Sequence, residues 1–385
     1  MNNLKIRDEI KKLVEKLYKV RRPESERIGK ERISAIYEGK ESDYIPILVD
    51  TPAHFINYTT DYTLKEQFFS KEKMLYAALK RLIEAAKIDC DGQLCLRVNF
   101  GTVLMPSLFG LRPIIMEDSQ PWCKEHLSKE EVLHFHIPDD LSRIGLMPRA
   151  LEYMAYFQEM VGDLVHVYLP DTQGPFAIAH LVYGDDIFTE MYDDPKFIHH
   201  LLGLTTKVFI RATEVLKKAL GEPIGSGYHG HGMSYGIYMP RGGTRISDDT
   251  PVLLSPEHIK EFVIPYDGEI LTSFSGGWIH YCGYNMSLTK EFMRMKEVRG
   301  INLGNPERWD AREFMRMILD HGKFYFGSWK RNDSESLSEY FRRIISYLEG
   351  KKRGLIFLLE PANLQAGEAE CAVSLWRKIQ DEELG

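Results

Sequence analysis

The stretch Gly276–Gly283, with the sequence GGWIHYCG, brings a short run of apolar and β-prone residues to a histidine and a cysteine. In a β-strand, alternate side chains point to the same face, so we expect His280 and Cys282 to project together. A neutral imidazole beside a thiolate supplies two of the ligands that zinc takes from proteins. For an isolated pair, a hydrogen-bonded histidine next to a buried cysteine is the more common arrangement. The rest of the chain therefore has to decide between these two interpretations.

Similar apolar runs recur along the chain, and helical stretches separate them. Strictly alternating strands and helices predict a parallel sheet with right-handed crossovers. Eight such units in one domain is the number found in a (β/α)8 TIM barrel. The predicted strands are residues 44–50, 94–100, 164–169 and 223–228, the strand that contains His280, and residues 300–303, 323–327 and 354–359.

The pattern also predicts how the chain is divided. Residues 1–40 contain two predicted helices, an N-terminal helical extension, and residues 41–385 are assigned to the barrel. Residues 101–140 are rich in proline, glycine and short polar turns, as expected of an insertion that forms a lid over a site. Residues 256–274 are predicted to form one helix, with Ser255 as its N-cap.

The alternative fold is a doubly wound open sheet that binds a dinucleotide. Residues 225–230 match the pattern G-x-G-x-x-G of such folds. Residues 232–243 contain Pro240 and further glycines, so they cannot form the helix that must follow this pattern. We therefore attribute the match to chance and prefer the barrel.

Composition excludes several classes of function. The chain has 385 residues, 44% of them hydrophobic, and a net charge of −7. It therefore has no basic excess for general binding to nucleic acid. No apolar run has membrane-spanning length and no signal peptide is apparent, so we expect a cytoplasmic protein. Five scattered cysteines suit a reducing compartment better than a disulfide framework.

Polar side chains stand where the predicted strands end, which is where TIM barrels carry their chemistry. A single aspartate or asparagine at such a position is more often a helix N-cap than a functional residue. Together, these residues predict a polar mouth that includes a pair of zinc ligands. Its members are Asp50, Asn99, Asp171, Gln173, His229, His231, Tyr235, Arg241, Arg245, His280, Cys282, Asn302, Asn305, Ser328 and Glu360.

Several motifs resemble those of the uroporphyrinogen decarboxylase superfamily and occur in the order of that family. The superfamily has a (β/α)8 barrel and includes a zinc-dependent branch that moves methyl groups to or from a corrinoid or a thiol. The resemblance covers roughly residues 30–380. The motifs are DTQGPFAIA at 171–179, RISDD at 245–249, LSP at 254–256, EFVIPY at 261–266 and HYCG at 280–283.

The resemblance favours the methyltransferase branch over the decarboxylases. Decarboxylases carry an arginine-rich stretch after the first strand, which grips the carboxylates of their substrate. Residues 50–55 have the sequence DTPAHF, without arginine, so decarboxylation of a polyanionic tetrapyrrole is not expected. The H-x-C-G pattern at 280–283 resembles the mark of the corrinoid methyltransferases.

The resemblance implies a zinc ion with three protein ligands and one open position. In the resembling methyltransferases the third ligand is a cysteine just after strand eight, where this chain has Glu360. We therefore expect His280, Cys282 and Glu360 as metal ligands, and Cys371 as a packing residue of the final helix. A carboxylate in place of a thiolate would make zinc a harder Lewis acid, which suits an oxygen leaving group.

The candidate catalytic residues are His229, His231 and Asp171. A histidine in the glycine-rich loop at 228–232 can donate a proton to a departing alkoxide or phenoxide. Two other roles stay open for these histidines, as additional zinc ligands or as loop residues hydrogen-bonded to the backbone. The candidate substrate-binding residues are Asp50, Asn99, Gln173, Tyr235, Arg245 and Asn302.

The resulting prediction is an O-demethylase-type component that transfers a methyl group between a small donor and a corrinoid (cobalamin) cofactor. The chain has no D-x-H-x-x-G corrinoid-binding signature, so we expect the cofactor on a separate corrinoid protein. Aromatic and methionine residues near the mouth slightly favour an aromatic methyl ether over methanol or a methylamine. The alternatives are a metal-independent decarboxylase or lyase on this barrel, and a non-catalytic barrel that binds a ligand through Arg241 and Arg245.

Overall fold

The β-strands of the computed structural model, which describes residues 3–50 and 61–385, form three sheets. A six-stranded parallel sheet has the order β1-β12-β11-β10-β9-β8, a four-stranded sheet has the order β5-β2-β7-β6, and β3 pairs with β4. The strands are β1 (Ile47–Val49), β2 (Gln93–Arg97), β3 (Pro113–Ile114), β4 (Trp122–Cys123), β5 (His166–Tyr168), β6 (Gly227–His229), β7 (Tyr235–Met239), β8 (Thr244–Ser247), β9 (Gly277–Tyr281), β10 (Val298–Leu303), β11 (Phe324–Gly327) and β12 (Leu355–Leu359).

Helices separate most of the strands along the described chain. The α-helices are α1 (Asn3–Val20), α2 (Pro23–Tyr37), α3 (Leu64–Phe69), α4 (Lys71–Ala85), α5 (Leu104–Leu108), α6 (Lys129–Leu133), α7 (Met147–Val161), α8 (Pro175–Tyr183), α9 (Ile187–Asp193), α10 (Pro195–Leu220), α11 (Pro256–Phe262), α12 (Ile264–Ser273), α13 (Met286–Arg294), α14 (Ala311–Asp320), α15 (Leu337–Ser346) and α16 (Ala369–Leu384).

The large sheet is parallel throughout, and its strands are buried on both faces. Every residue of β9 and of β12 is buried, although successive side chains of a strand point to opposite faces. Strands of this kind are nearly continuous apolar runs because helices or other strands cover both sides of the sheet. The prediction of an α/β protein with a parallel sheet is therefore confirmed.

The prediction of strand four at residues 223–228 is wrong in its pairing. The strand found there, β6, forms an antiparallel hairpin with β7, and β7 pairs antiparallel with β2. The parallel neighbour of β9 is β8, which begins at Thr244. Gly236 allows the hairpin to lie close to β2, since a Cβ atom there would be 2.8 Å from Sγ of Cys95. Strict alternation of strands and helices therefore fails at this point of the chain.

The two helices predicted within residues 1–40 are present as α1 and α2. Arg32 on α2 forms ion pairs with Asp91, just before β2, at 2.8 Å and with Asp43 at 2.7 Å. The side chain of Asp91 also accepts a hydrogen bond from the backbone of Ile47 in β1 at 2.9 Å. The extension is thus tied to the beginning of two strands, whereas the predicted domain boundary at residue 40 stays a prediction.

Residues 256–274 form two helices, α11 and α12, where the sequence predicts one. The break lies at Val263 (φ −118°, ψ −61°), and Pro265 occupies the first turn of α12, where its missing N–H is tolerated. The predicted cap is confirmed, because Oγ of Ser255 accepts a hydrogen bond from the backbone N–H of His258 at 3.2 Å.

The predicted insertion at residues 101–140 contains α5, the β3–β4 hairpin and α6. Its role as a lid stays a prediction.

Among the described residues no strand ladder joins the six-stranded sheet to the four-stranded one. A backbone hydrogen bond connects the two sheets, because the N–H of Asp91, just before β2, donates to the carbonyl oxygen of Ile47 in β1 at 2.9 Å. No described helix combines the length and apolar character needed to cross a membrane.

Candidate functional site

The register of the parallel sheet brings the carboxyl ends of β8, β9 and β10 to one edge. Ser247 is the partner of His280 across the β8–β9 pair, and Asn302 is the partner of His280 across the next pair. Just beyond the ends of β8 and β9, Asp249 and Cys282 join His280 in a group that we call the ligand cluster. One oxygen, one nitrogen and one sulfur atom of these three residues all lie within 4.8 Å of one another.

Two separations within the ligand cluster fit a tetrahedral zinc site. Nε2 of His280 is 3.6 Å from Sγ of Cys282 and 3.7 Å from a carboxylate oxygen of Asp249. Ligands at the usual zinc distances are about 3.3–3.8 Å apart when they occupy corners of a tetrahedron. Imidazole nitrogen, thiolate sulfur and carboxylate oxygen are also the ligand types that zinc prefers. The residues present therefore fit a zinc ion with three protein ligands.

Asn302 determines which nitrogen of His280 faces the ligand cluster. Nδ2 of Asn302 donates to the carbonyl oxygen of Phe326, so its Oδ1 is left to accept from Nδ1 of His280 at 2.5 Å. The ring proton of the neutral imidazole is therefore on Nδ1, and the lone pair is on Nε2. A neighbour that fixes the tautomer in this way is typical of metal-ligating histidines.

Partial burial and neighbouring charges set the protonation of the ligand cluster. Burial and the guanidinium of Arg245 lower the pKa of His280 to about 4, so the ring is neutral near pH 7. Partial burial and the carboxylate of Asp249 raise the pKa of Cys282 to about 11. The Cys282 sulfur is thus a thiol without metal, and a zinc ion would have to displace its proton on binding.

A carboxylate and two arginines lie beside the ligand cluster. Arg245, on β8, is buried and donates to Oδ1 of Asp171 at 3.0 Å, and Gln173 donates to the same oxygen at 2.8 Å. Arg97 approaches the other oxygen of Asp171 at 3.7 Å. Burial opposes ionisation of Asp171, but the charges of Arg245 and Arg97 outweigh it and lower its pKa. Asp171 is therefore a carboxylate that positions two guanidinium groups.

The two loop histidines contact this group. Nδ1 of His231 contacts Nη2 of Arg245, and Nδ1 of His229 accepts from the backbone N–H of His231 at 3.0 Å. Both Nδ1 atoms are acceptors, so the ring protons of the neutral imidazoles are on Nε2. Burial and the charge of Arg245 hold the pKa of both histidines well below the ordinary value. The rings of His231 and His280 are 4.0 Å apart, so a neutral imidazole lies next to the ligand cluster.

Comparison with known proteins tests the resemblance seen in the motifs. The family model described as uroporphyrinogen decarboxylase (URO-D) matches residues 29–222. The chain belongs to the uroporphyrinogen decarboxylase family.

The fold of this family member is similar to that of a solved methyltransferase from Methanosarcina mazei. The TM-score is 0.65 at 15% sequence identity, and the match covers 91% of this chain and 98% of that chain. No curated protein sequence matches the chain. The likeness at this low identity establishes the fold and leaves the reaction to be argued from the site.

Two of the predicted substrate-binding residues, Tyr235 and Asn99, make structural contacts, and their substrate-binding roles stay predictions. Tyr235 is buried and its hydroxyl donates to the carbonyl oxygen of Ala85, so it supports the end of α4. Oδ1 of Asn99 accepts from the backbone N–H of Gly101 at 3.0 Å, which leaves its Nδ2 for other partners. Arg241, which the non-catalytic alternative uses, is exposed and pairs with Glu38 at 3.2 Å.

Two further predicted residues, Asp50 and Glu360, follow the neighbouring strands β1 and β12. Asp50 is buried, and its backbone N–H donates to the carbonyl oxygen of Leu359 at 2.9 Å. Glu360, the predicted third metal ligand, is not part of the ligand cluster, and its carboxylate lies 3.5 Å from Oγ of Ser328. Residues 51–55, on which the contrast with the decarboxylases depends, lie outside the described part of the chain.

Sequence reasoning did not select Asp249 as a metal ligand, although it quoted the RISDD motif that contains it. The sequence signal was weak, because residues 244–247 (TRIS) contain a single apolar residue and do not form an apolar run. A strand placed there would have put Asp249 among the residues of the mouth. Arg97 was missed for a similar reason, since it is the last residue of β2 and not the first residue after it.

Proposed function

We propose that this protein is a zinc-dependent methyltransferase that moves a methyl group between a small methyl donor and the corrinoid of a separate partner protein. The ligand cluster carries the proposal, because its nitrogen has the separation from both its sulfur and its oxygen that a tetrahedral zinc ion requires, and all three atoms lie within 4.8 Å of one another. Membership of the uroporphyrinogen decarboxylase family and the similarity in fold to a methyltransferase support the same class of reaction.

In this proposal the two larger sheets close into a (β/α)8 barrel. Its eight parallel strands would be β1, β2, β5, β8, β9, β10, β11 and β12, with the β6–β7 hairpin inserted before β8. The family supports this architecture, since its members are TIM barrels. Active sites of TIM barrels lie at the carboxyl ends of the strands, and the ligand cluster follows the ends of β8 and β9.

Asp249, His280 and Cys282 would hold the metal and leave a fourth position for the methyl donor. When bound, zinc supplies Lewis-acid stabilisation of the negative charge on the heteroatom that loses the methyl group. Donors with poor leaving groups need this help most, and they include methyl ethers, among them aromatic ethers, as well as methanol and methylamines. Glu360 is retained as the alternative third ligand because it follows the last strand of the parallel sheet.

His231 is the proposed hydrogen-bond or proton donor to the departing atom. Its Nδ1 is engaged by Arg245, so only the Nε2 proton can be directed toward a substrate. His229 accepts a hydrogen bond from the backbone of His231, and Asp171 holds Arg245. His229 and Asp171 would therefore position His231 as the proton donor. Asp50, Asn99 and Gln173 stay as proposed substrate-binding residues, and the partner protein would bring its corrinoid to the same edge of the sheet.

The test combines metal analysis with an assay of methyl transfer. Purified protein is expected to contain about one zinc per chain, as a catalytic site with three protein ligands would. It is also expected to methylate cob(I)alamin from at least one donor of a panel of methyl ethers, methanol and methylamines. Absorbance spectroscopy of the corrinoid measures this methylation. A protein without zinc whose activity survives chelation would support a metal-independent lyase instead.

Substitutions identify the metal ligands. Asp249→Ala, His280→Ala and Cys282→Ala are each expected to lower the zinc content while the protein stays folded. Cys371→Ser, in the final helix, is the matched control for the cysteine and should retain the metal. If Glu360→Gln removes zinc and Asp249→Ala does not, Glu360 is the third ligand. If neither His280→Ala nor Cys282→Ala changes the zinc content or methyl transfer, the proposed function fails.

A further inference from the structure

Two arginines near the proposed site have fewer acidic partners than their charges would need for neutralisation. Arg81, on α4, makes no hydrogen bond or ion pair with any residue of the described chain. Arg97, at the end of β2, has one acidic neighbour, Asp171, at 3.7 Å, and Arg245 holds that same carboxylate more closely at 3.0 Å. Asp171 is therefore shared by Arg97 and Arg245, and Arg81 has no acidic partner among the described residues.

The parts of the chain outside the described structure do not supply the missing charge. Residues 1–2 and 51–60 contain no aspartate or glutamate. Burial, together with the nearby charge of Arg97, lowers the pKa of Arg81, although the residue is only partly buried and keeps some exposure to solvent. Two neighbouring guanidinium groups repel each other, so an anion bound between them is electrostatically favourable.

The two guanidinium groups line a recess that is open to a small ligand. Its volume is about 40 Å³, and its walls also include Asn99, Gly232 and Ser234. Gly232 has a φ of +89°, and a Cβ atom there would lie 3.2 Å from Nη2 of Arg97. A side chain at this position would therefore be strained and would crowd Arg97, so glycine keeps the recess open.

The recess is connected to the ligand cluster by direct contacts. Arg97 approaches Asp171 at 3.7 Å, and Asp171 accepts from Arg245 at 3.0 Å. Arg245 contacts His231, whose ring is 4.0 Å from the ring of His280. A ligand held at Arg81 and Arg97 would therefore be linked through Asp171 and Arg245 to the residues beside the ligand cluster.

We infer that Arg81 and Arg97 form a subsite for a carboxylate of the methyl donor, which makes the substrate an anionic methyl compound. Planar guanidinium groups bind carboxylates through paired hydrogen bonds, and the recess accommodates a group of that size. The inference rests on the proposed function and specifies its substrate class. It also assigns Arg81 and Arg97 to substrate binding, a role that their sequence positions did not indicate.

The test is binding calorimetry with the zinc-loaded protein in the absence of corrinoid. The probes are 4-methoxybenzoate and methoxyacetate, each compared with its uncharged carboxamide. We expect at least one acid to bind about tenfold or more tightly than its amide, because hydrogen bonds between a guanidinium and a carboxylate are stronger than those to a neutral amide. Arg81→Gln and Arg97→Gln should each remove most of this preference, and Arg81→Lys, which keeps the charge but not the planar fork, should retain part of it.

The matched control is Arg27→Gln, since Arg27 is on α2 and pairs with Glu24 and Glu31. It should leave the preference for the acid unchanged. Equal affinity for acid and amide in the wild type, a lack of binding by both acids, or a preference that survives both Arg→Gln changes would overturn the subsite. If Arg97→Gln does not fold, the two Arg81 variants decide the question.

The two proposals can fail separately. Methyl transfer at equal rates from acids and amides would leave the proposed function intact and overturn the subsite. A preference for acids that depends on Arg81 and Arg97, in a protein that neither holds zinc nor transfers methyl groups, would leave the subsite intact and overturn the proposed function.

Discussion

Among single residues, Asn302 influences the chemistry of the site without joining the ligand cluster. Its amide is oriented by the carbonyl oxygen of Phe326, and in turn it holds the proton of His280 on Nδ1. Without it, either nitrogen of the imidazole could carry the proton. The substrate-binding role of Asn302 stays a prediction, and its hydrogen bonds give it a second proposed role, in orienting His280 as a metal ligand.

We expect Asn302→Ala to weaken zinc binding about 10–100-fold, the usual cost of removing the hydrogen-bond partner of a metal-ligating histidine. The measurement is competition for zinc against a chelator of known affinity. Asn332→Ala is the control, because Asn332 is exposed in a loop. Unchanged zinc affinity in Asn302→Ala would mean that another group fixes the tautomer of His280.

At the scale of elements, two buried aspartates lie near each other, one directly after β8 and the other on α12. Asp248, directly after β8, accepts hydrogen bonds from the first turn of α8, at 3.3 Å from Phe176 and 2.8 Å from Ala177. Asp267, on α12, is fully buried, and neither of its carboxylate oxygens has a hydrogen-bond partner among the described residues. Burial raises the pKa of both residues, and the charge of Asp267 adds to the effect on Asp248.

This pair predicts a dependence of stability on pH. Burial raises the pKa of Asp267 to about 8, whereas an unfolded aspartate titrates near about 3.9. The folded state therefore holds a proton that the unfolded state releases between these values. Its contribution to the free energy of unfolding is complete below about pH 4 and is lost as the pH rises toward 8, by at most about 1.4 kcal/mol per pH unit.

Asp267→Asn should remove this dependence, because the amide does not titrate. Relative to the wild type, the variant should gain stability between about pH 5 and pH 8, as measured by denaturant unfolding at both values. Asp320→Asn, at the exposed end of α14, is the matched control and should follow the wild type. A constant difference between Asp267→Asn and the wild type over this range would show that Asp267 is ionised in the folded protein.

At the scale of the whole molecule, the apolar core is large, and we expect the fold not to depend on the ligand cluster. The buried apolar core extends from α1 and α2 through the strands of the parallel sheet to α16, and Ile6, Leu48, Ile279 and Trp376 are all fully buried within it. The ligand cluster lies at one edge of the sheet, beyond the strand ends. Metal at this position would serve chemistry and would add to stability only through binding.

We therefore expect removal of zinc with a chelator to leave the circular dichroism spectrum unchanged and unfolding cooperative. Zinc at about a thousand times its dissociation constant adds about 4 kcal/mol, which corresponds to an increase in Tm of about 5–10 °C. Scanning calorimetry with and without the chelator measures this difference. Loss of the folded state on chelation would show that the metal is structural.

Patterns within short segments were sufficient to predict many of the elements. The apolar run before His280 predicted β9, and its two-residue period placed Cys282 on the same side as His280. The hydroxyl and position of Ser255 predicted the start of α11. These predictions depend on residues within a few positions of one another, where backbone geometry relates spacing directly to direction.

The tertiary structure alone decided which distant residues meet. Asp249 joins His280 and Cys282 because hydrogen bonds between β8 and β9 set their register, and no property of residues 244–249 specifies that register by itself. The hairpin of β6 with β7 was missed for the same reason, since an apolar run does not reveal its partner strand. Arg81 and Arg97 come together only because α4 packs beside β2, and packing of this kind is determined by contacts between segments that are far apart in the sequence.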